Sequence, residues 1–172
     1  MEVMSRPNEI TLRPFKISDV DDFLSWAGDD AVTRYCRWNT YTSRDVGLEF
    51  LREVINSHPW YRAICVDGQP IGSIYVMPGT GKDERRGEIG YAMKAKYWGK
   101  GIATEAVKLV LSCVFKELKC LDRVEGLVFE ENKASQRVLE KAGFVKEGVL
   151  RKYFVVKGKS RDIVVYSVVN DN

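Results

Sequence analysis

Two glycines at the start of a predicted helix indicate chemistry with an anionic ligand. Gly99 and Gly101 follow an extended stretch that ends near Met93, and they lead directly into a helical pattern. Ser, Asp or Asn would cap a helix better, so the glycines point to a close approach of something to the backbone. A helix N-terminus presents unpaired N–H groups and the positive end of the helix dipole. The segment 99–104 is therefore predicted to bind phosphate.

Two other phosphate-binding patterns fit the sequence less well. The segment 78–84, PGTGKDE, imitates the end of a P-loop, but Val76 stands at the first glycine position and Asp83 follows the lysine. The segment 99–104, GKGIAT, begins like a dinucleotide fingerprint, but Thr104 occupies the third glycine position. The sequence therefore favours a phosphate ligand of another kind.

The elements around this turn alternate between strands and helices. Alternating apolar residues and turn signals predict strands at 9–15, 61–67, 70–77, 88–93, 122–129, 144–156 and 162–169. Helical periodicity and capping residues, including Ser18 and Asn132 as N-caps, predict helices at 18–27, 43–57, 101–118 and 132–143. The buried face of the second helix is predicted to carry Val46, Phe50, Leu51, Val54 and Ile55. This order predicts a mixed α/β sheet with hairpins at both ends.

Composition indicates one domain over residues 1–172 and excludes several classes of protein. Hydrophobic residues make up 45% of the 172, which is enough for one sizeable core. The net charge of +3 is too small and diffuse to indicate a nucleic-acid partner. The four cysteines form no CxxC pair and there is a single histidine, so we expect no metal site. Without a secretory signal or a run long enough to span a membrane, we expect a soluble cytoplasmic protein.

Two motifs in order resemble the acetyl-CoA motifs of the GNAT N-acetyltransferases. Lys96-Tyr-Trp-Gly99-Lys-Gly101 is similar to the pyrophosphate motif Q/R-x-x-G-x-G/A, apart from the lysine at its first position. The segment 131–144, ENKASQRVLEKAGF, is similar to the second motif, N-x-x-S followed by an apolar helix and Gly-Phe. The resemblance covers nearly the whole chain and is weakest over 16–60. It is greatest to the branch of ribosomal-protein N-terminal acetyltransferases.

The resemblance implies the acyl-CoA N-acyltransferase fold, with a mixed, mostly antiparallel sheet of about seven strands and about four helices. It implies acetyl-CoA as the acyl donor, held by Met93, Lys94, Trp98, Gly99, Lys100, Gly101, Ile102, Ala103, Thr104, Asn132 and Ser135. The chemistry agrees, because pyrophosphate needs backbone N–H donors and little side-chain bulk, and pantetheine amides pair with an open strand edge. Gly90 in the strand before the turn indicates either a bulge or splaying that opens this edge, or close packing.

Acetyl transfer to an amine needs a neutral nitrogen, a stabilised oxyanion and a proton for the departing thiolate. Glu88, on the strand beside the cofactor, is the candidate base, and an exposed structural carboxylate is the alternative. Leu139 stands where the family's frequent general-acid tyrosine falls, so Ser135 is the fallback, with helix capping as the alternative. A backbone N–H near Met93 would hold the oxyanion. His58 lies in a predicted loop and is not expected to act.

The acceptor side carries no specific motif. The segment 33–41, TRYCRWNTY, falls where the acceptor-facing helices and loop of the family lie, and Tyr35 and Trp38 are the candidates to line that side. Core packing explains these aromatic residues nearly as well. The branch implies a protein or peptide N-terminus that attacks directly in a ternary complex. A small polyamine as acceptor, and a non-catalytic acyl-CoA-binding module, are the alternatives.

Overall fold

A seven-stranded sheet runs through the middle of the protein, which a computed structural model describes for residues 9–171. The strand order is β1-β2-β3-β4-β5-β7-β6, with β4 and β5 parallel and all other neighbours antiparallel. The strands are β1 (Ile10–Pro14), β2 (Tyr61–Val66), β3 (Gln69–Pro78), β4 (Arg86–Met93), β5 (Arg123–Phe129), β6 (Val145–Val156) and β7 (Lys159–Val169). The predicted mixed, mostly antiparallel sheet is confirmed. The predicted domain, 1–172, also includes residues 1–8 and 172, which lie outside the described residues.

Helices cover both faces of this sheet. They are α1 (Val20–Ala27), α2 (Asp30–Thr33), α3 (Arg44–Ser57), α4 (Ile102–Glu117) and α5 (Lys133–Lys141). Helices α4 and α5 pack in one core with Ile64, while α1 and α3 pack in another with its neighbours Ala63 and Cys65. This division follows from the alternation of side chains along a strand. Helix α2 was not predicted, because its four residues are too few to show a helical period.

Two predicted details of the N-terminal helices are wrong. Ser18 is not an N-cap, because it lies inside a 3₁₀ turn capped by Lys16, and α1 begins only at Val20. On α3, Val46 and Ile55 are exposed, whereas Leu51 and Val54 are buried. The buried strip of α3 begins instead at Gly47, where an added Cβ would lie 3.1 Å from Leu24 of α1. Because α1 packs closely on Gly47, the buried face of α3 differs from the predicted face.

The sheet opens between its two parallel strands. The register of β4 and β5 pairs only Arg86, Gly87 and Glu88 with Arg123, Val124 and Glu125. Beyond these positions β4 continues to Met93 and β5 to Phe129, without further pairing between the two. The strands therefore diverge after Glu88 and leave a gap in the middle of the sheet.

Gly90 lies at the rim of this gap, and packing explains why this residue is a glycine. The register between β3 and β4 is unbroken across Gly90, which pairs with Tyr75, so no bulge lies there. A Cβ on Gly90 would lie 2.3 Å from the Tyr75 ring. Close packing is therefore found at this position together with the predicted splaying of β4 from β5, whereas the predicted bulge is absent.

Candidate active site

A cavity of about 450 Å³ occupies the gap between β4 and β5. Its walls come from the divergent halves of the two strands, the N-terminal turns of α4 and α5, and the segment that follows α2. The cavity brings together most of the predicted site residues, namely Glu88, Met93, Trp98, Gly99, Gly101, Ile102, Ala103, Thr104, Asn132, Ser135, Tyr35 and Trp38.

The glycine turn before α4 combines a left-handed backbone with open space. Gly99 has φ +70° and Gly101, the N-cap of α4, has φ +78°. Residues with a side chain rarely adopt such angles, so the turn itself requires glycine. A Cβ added at either position would meet nothing within 4 Å, so the surrounding space is free for a ligand. The first N–H groups of α4, from Ile102 on, have no acceptor within the helix, and a helix start of this kind suits a diphosphate group.

The hydrogen-bond register of β4 turns a second set of backbone groups towards the gap. The Lys94 N–H donates to a β3 carbonyl at 2.8 Å, and residues of an antiparallel strand alternate between facing their partner and facing away. The peptide groups of Ile89, Tyr91 and Met93 therefore face the side from which β5 has diverged. The Trp98 indole N–H donates to the Met93 carbonyl at 3.0 Å. This edge can pair with the amides of an extended ligand.

Two predicted cofactor residues direct their side chains elsewhere. The Lys94 ammonium lies 3.5 Å from an Asp22 carboxylate oxygen on α1. The Lys100 ammonium lies 5.5 Å from the centroid of the Tyr97 ring. Neither lysine lines the cavity. Their role in cofactor binding stays a prediction.

Ser135 contacts a residue that the sequence analysis did not select. The Asn132 side chain caps α5 and accepts a hydrogen bond from the Ser135 N–H at 3.2 Å. The Ser135 hydroxyl is not part of this cap and lies 2.7 Å from the Tyr91 hydroxyl of β4. Burial raises the pKa of Tyr91, so this hydroxyl keeps its proton at neutral pH. The sequence signal that could have identified Tyr91 was the alternation of side chains along a strand, because it places Tyr91 on the face of β4 opposite to Glu88.

Leu139 supplies an apolar wall where the family's frequent tyrosine would supply a proton. Its side chain is buried, with 1% of its surface exposed. A Cβ on Gly126 of β5 would lie 2.6 Å from it, so the glycine makes room for the leucine. In this part of the site, Ser135 and Tyr91 are the hydroxyl groups beside the cavity.

Glu88, the last residue of β4 that pairs with β5, forms an ion pair with Arg37. Arg37 lies in the segment after α2, and its guanidinium carbon is 4.8 Å from the centroid of the Phe154 ring on β6. The guanidinium contacts the Glu88 carboxylate, so an amine that approaches this carboxylate meets Arg37 as well. Arg37 lies in the segment 33–41 that was predicted to face the acceptor, but it was not itself one of the predicted site residues.

A second cavity, of about 550 Å³, begins at this ion pair. Arg37, Glu88 and Leu127 line both cavities. The other walls of the second cavity come from β4, β5, β6 and β7, with Phe154 and Val165 among them. The candidate base therefore lies at the boundary between two spaces.

The two aromatic acceptor candidates line the first cavity and also pack in the core. The Trp38 ring lies 5.7 Å from the Tyr41 ring and belongs to the core of α1 and α3. Tyr35 packs against the cluster of Phe129, Val156 and Ile163. These positions are compatible with both interpretations made from the sequence, namely lining of the acceptor side and packing in the core. A role in acceptor binding therefore stays a prediction.

The single histidine, His58, lies outside both cavities. The His58 Nδ1 accepts a hydrogen bond from the Trp60 N–H at 3.2 Å, and burial lowers the pKa of this histidine. Within residues 9–171, no group of three or more His, Cys, Asp and Glu side chains is placed to hold a metal ion. None of the helices described there is long and apolar enough to cross a membrane.

Comparison with known proteins identifies the family. Residues 9–145 match the family model described as an acetyltransferase (GNAT) domain. The chain belongs to this family. YoaA of Bacillus subtilis, named an uncharacterized N-acetyltransferase, is 30% identical over 167 residues, which cover 94% of each chain. The crystal structure of a GNAT-family acetyltransferase from Bacillus anthracis has a TM-score of 0.84 and 25% identity, covering 95% of this chain and 96% of that one.

GNAT relatives of this chain are named for different acceptors. The putative ribosomal N-acetyltransferase YdaF of Bacillus subtilis is 38% identical over 85 residues, which cover 49% of this chain and 46% of YdaF. The spermidine N(1)-acetyltransferase of Escherichia coli is 31% identical over 162 residues, covering 94% of this chain and 86% of that protein. The family match and these relatives support an acetyl-CoA-dependent N-acetyltransferase, as the resemblance implied.

Proposed function

We propose that this GNAT enzyme acetylates the α-amino group of a protein or peptide N-terminus, by direct attack in a ternary complex. The observation that carries the proposal is the position of Glu88 at the boundary between the two cavities. A thioester in the first cavity and an amine that enters through the second would meet beside this carboxylate. Proximity of this kind supplies much of the acceleration of a two-substrate reaction.

The first cavity has the groups that the donor requires. The turn at Gly99 and Gly101 with the N-terminus of α4 would hold the pyrophosphate, and the β4 edge would hold the pantetheine amides. The Met93 N–H faces the gap and is the candidate donor to the oxyanion. As the new C–N bond forms and the C–S bond breaks, Ser135 would protonate the departing thiolate, supported by the Tyr91 hydroxyl 2.7 Å away.

The ion pair at Glu88 favours an acceptor that needs little help to lose its proton. Deprotonating a lysine-like amine at pH 7 costs about 4–5 kcal/mol, whereas an α-amine costs about 1–1.5 kcal/mol. A carboxylate that is occupied in an ion pair with Arg37 is less free to take a proton from an incoming amine, directly or through water. Such a base suits the α-amine better than the amines of a polyamine. The similarity to YdaF supports the same acceptor.

A polyamine is the second candidate acceptor. It is favoured by the similarity to the spermidine N(1)-acetyltransferase of Escherichia coli over 94% of this chain. The two candidates differ in the pKa of the reacting amine and in the number of positive charges that the site must accept.

An acceptor panel tests the proposal. Release of free thiol from acetyl-CoA would be measured with peptides of different first residues, with the same peptides blocked by Nα-acetylation, and with spermidine. We expect kcat/KM to be greatest for an unblocked peptide and to fall to background when the α-amine is blocked. Robust turnover of spermidine, with none on any peptide, would overturn the proposed acceptor while leaving the acetyltransferase activity in place.

A further inference from the structure

The charges in the second cavity are balanced by the protein itself. Its walls include the carboxylates of Glu88, Glu125 and Glu147 and the guanidinium groups of Arg37, Arg86 and Arg123. A cavity that selected a polycation would present carboxylates without cationic partners, because an uncompensated negative charge attracts and holds the cationic ligand. In this cavity, each carboxylate contacts an arginine.

Two of the carboxylates share one guanidinium. Arg123 Nε lies 2.9 Å from a Glu125 oxygen, and its two terminal nitrogens each lie 2.7 Å from a Glu147 oxygen. Arg86 adds a second cation 3.5 Å from Glu125. The bidentate contact with Arg123 lowers the pKa of Glu147 to about 2, so this carboxylate is ionised and paired at neutral pH. Neither carboxylate is free for an acceptor.

The third carboxylate, Glu88, has Arg37 as its partner. The position of Arg37 is set by Phe154, whose ring lies beneath the guanidinium at 4.8 Å, and the same guanidinium opposes the rise that burial causes in the pKa of Tyr75. Cation–π stacking of this kind holds an arginine on an aromatic face. Arg37 therefore occupies the position beside Glu88 where a cationic group of an acceptor would otherwise lie.

We propose that Arg37 is a specificity-determining residue, whose guanidinium at Glu88 excludes polyamines and selects a single amine flanked by uncharged groups. This inference rests on the proposed function, since it explains why the site would prefer a peptide N-terminus. A second positive charge on the acceptor would meet Arg37 instead of a free carboxylate, and like charges at close range disfavour binding. The apolar walls of the same cavity, Leu127, Val149, Leu150 and Phe154, suit the uncharged groups that follow the amine.

Substituting Arg37 tests this inference through a ratio of substrates. For the full-length enzyme, kcat/KM would be measured with spermidine and with an uncharged, C-terminally amidated peptide that carries one α-amine. In Arg37→Met, we expect the ratio of spermidine to peptide to rise about 10-fold or more, because Glu88 becomes free to attract a second cation. Arg37→Lys retains a cation and should keep the ratio near the wild-type value.

Two further variants separate charge from shape. Because Glu88→Gln by itself lowers the ratio through loss of the candidate base, the double variant is compared with Glu88→Gln alone. In that background Arg37→Met should give no gain for spermidine, since the carboxylate that attracts it is gone. Arg85→Met removes a guanidinium from Asp122 in an exposed ion pair outside both cavities and should leave the ratio unchanged. An unchanged ratio in Arg37→Met, or a gain that survives Glu88→Gln, would overturn the inference.

The outcomes of this experiment and of the acceptor panel are distinguishable. If the wild-type enzyme acetylates no peptide, the proposed acceptor fails, but the ratio across amines of different charge still reports on Arg37. If the enzyme acetylates peptides and Arg37→Met leaves the ratio unchanged, the proposed function stands and the inference fails. Circular dichroism would verify that each variant is folded, and a poorly folded Arg37→Met would be replaced by Arg37→Gln.

Discussion

The Tyr91 hydroxyl lies 2.7 Å from the Ser135 hydroxyl, across the space between β4 and α5. Tyr91 points from the strand edge that should hold the pantetheine arm, and Ser135 points from the N-terminal turn of the helix opposite. Burial favours the protonated form of Tyr91, so the pair holds protons beside the expected position of the thioester sulfur. Glu88 lies on the other face of β4, which separates the group that would supply a proton from the group that would accept one.

If the two hydroxyls act as one unit, their substitutions should not be additive. We expect Ser135→Ala to lower kcat by roughly 10²-fold and Tyr91→Phe by roughly 10-fold, because general-acid assistance is worth about 10²–10⁴ in rate. The double variant should be no slower than Ser135→Ala alone. Steady-state thiol release measures all three, with Ser112→Ala, on the exposed side of α4, as the control. Effects that multiply would mean that the two hydroxyls act independently.

The glycine turn can be tested against a second glycine of similar geometry. Gly101 has φ +78°, and Gly158, in the turn between β6 and β7, has φ +75°. Alanine at either position should cost roughly 1–2 kcal/mol of stability through backbone strain. Only Gly101→Ala, and more strongly Gly101→Glu, should weaken the binding of coenzyme A. Calorimetric titration and thermal unfolding would separate the two effects, and unchanged affinity in Gly101→Glu would rule out the proposed pyrophosphate site.

The role of Glu88 as a base should depend on pH. Glu88→Gln retains the shape of the side chain and loses its proton-accepting charge, so kcat/KM at pH 7 should fall by about 10² or more for an amine of high pKa and by less for an α-amine. The loss should shrink as pH rises towards the pKa of the amine, because solution then supplies the free base. Glu84→Gln, exposed and outside both cavities, is the matched control. Near wild-type rates at pH 7 would make Glu88 purely structural.

The pairing of Glu147 with Arg123 should appear in the pH dependence of stability. The native pKa of Glu147, about 2, lies below its ordinary value of 4.5, so its stabilising effect is complete above that value and is lost as pH falls towards 2. Glu147→Gln should lower Tm by about 1–3 °C near neutral pH, since a solvent-exposed pair contributes little. The difference from the wild type should vanish at acidic pH. A constant difference at every pH would exclude the ion pair as its cause, and Glu49→Gln is the exposed control.

The sequence predicted best what depends on a few consecutive residues. Asn132 caps α5 as expected, and the turn between β2 and β3 is made by Asp67-Gly68, a pair typical of hairpin turns, with φ of 50° and 81°. Backbone angles and caps are set within one turn of chain, so residue type is enough to predict them. The two acetyl-CoA motifs predicted the family for the same reason, because each motif is a local turn followed by the start of a helix.

Gly90 shows what this local information cannot predict. The sequence offered a bulge or splaying, or close packing. The structure has splaying and close packing, and the residue that packs on Gly90, Tyr75, lies on another strand. The face of α3 was mispredicted on similar grounds, because the approach of Leu24 at Gly47 cannot be seen in a helical period. In both cases the deciding contact comes from a different element.

The sequence by itself therefore determined the fold class, the glycine turn at 99–104 and the starts of the two helices, α4 and α5, that line the first cavity. Tertiary structure alone decided the divergence of β4 from β5, the pairing of Glu88 with Arg37 and the contact of Tyr91 with Ser135. The physical reason is separation along the chain. Tyr91 and Ser135 are 44 positions apart, and their side chains meet only after the strand and the helix that carry them have packed on the same core.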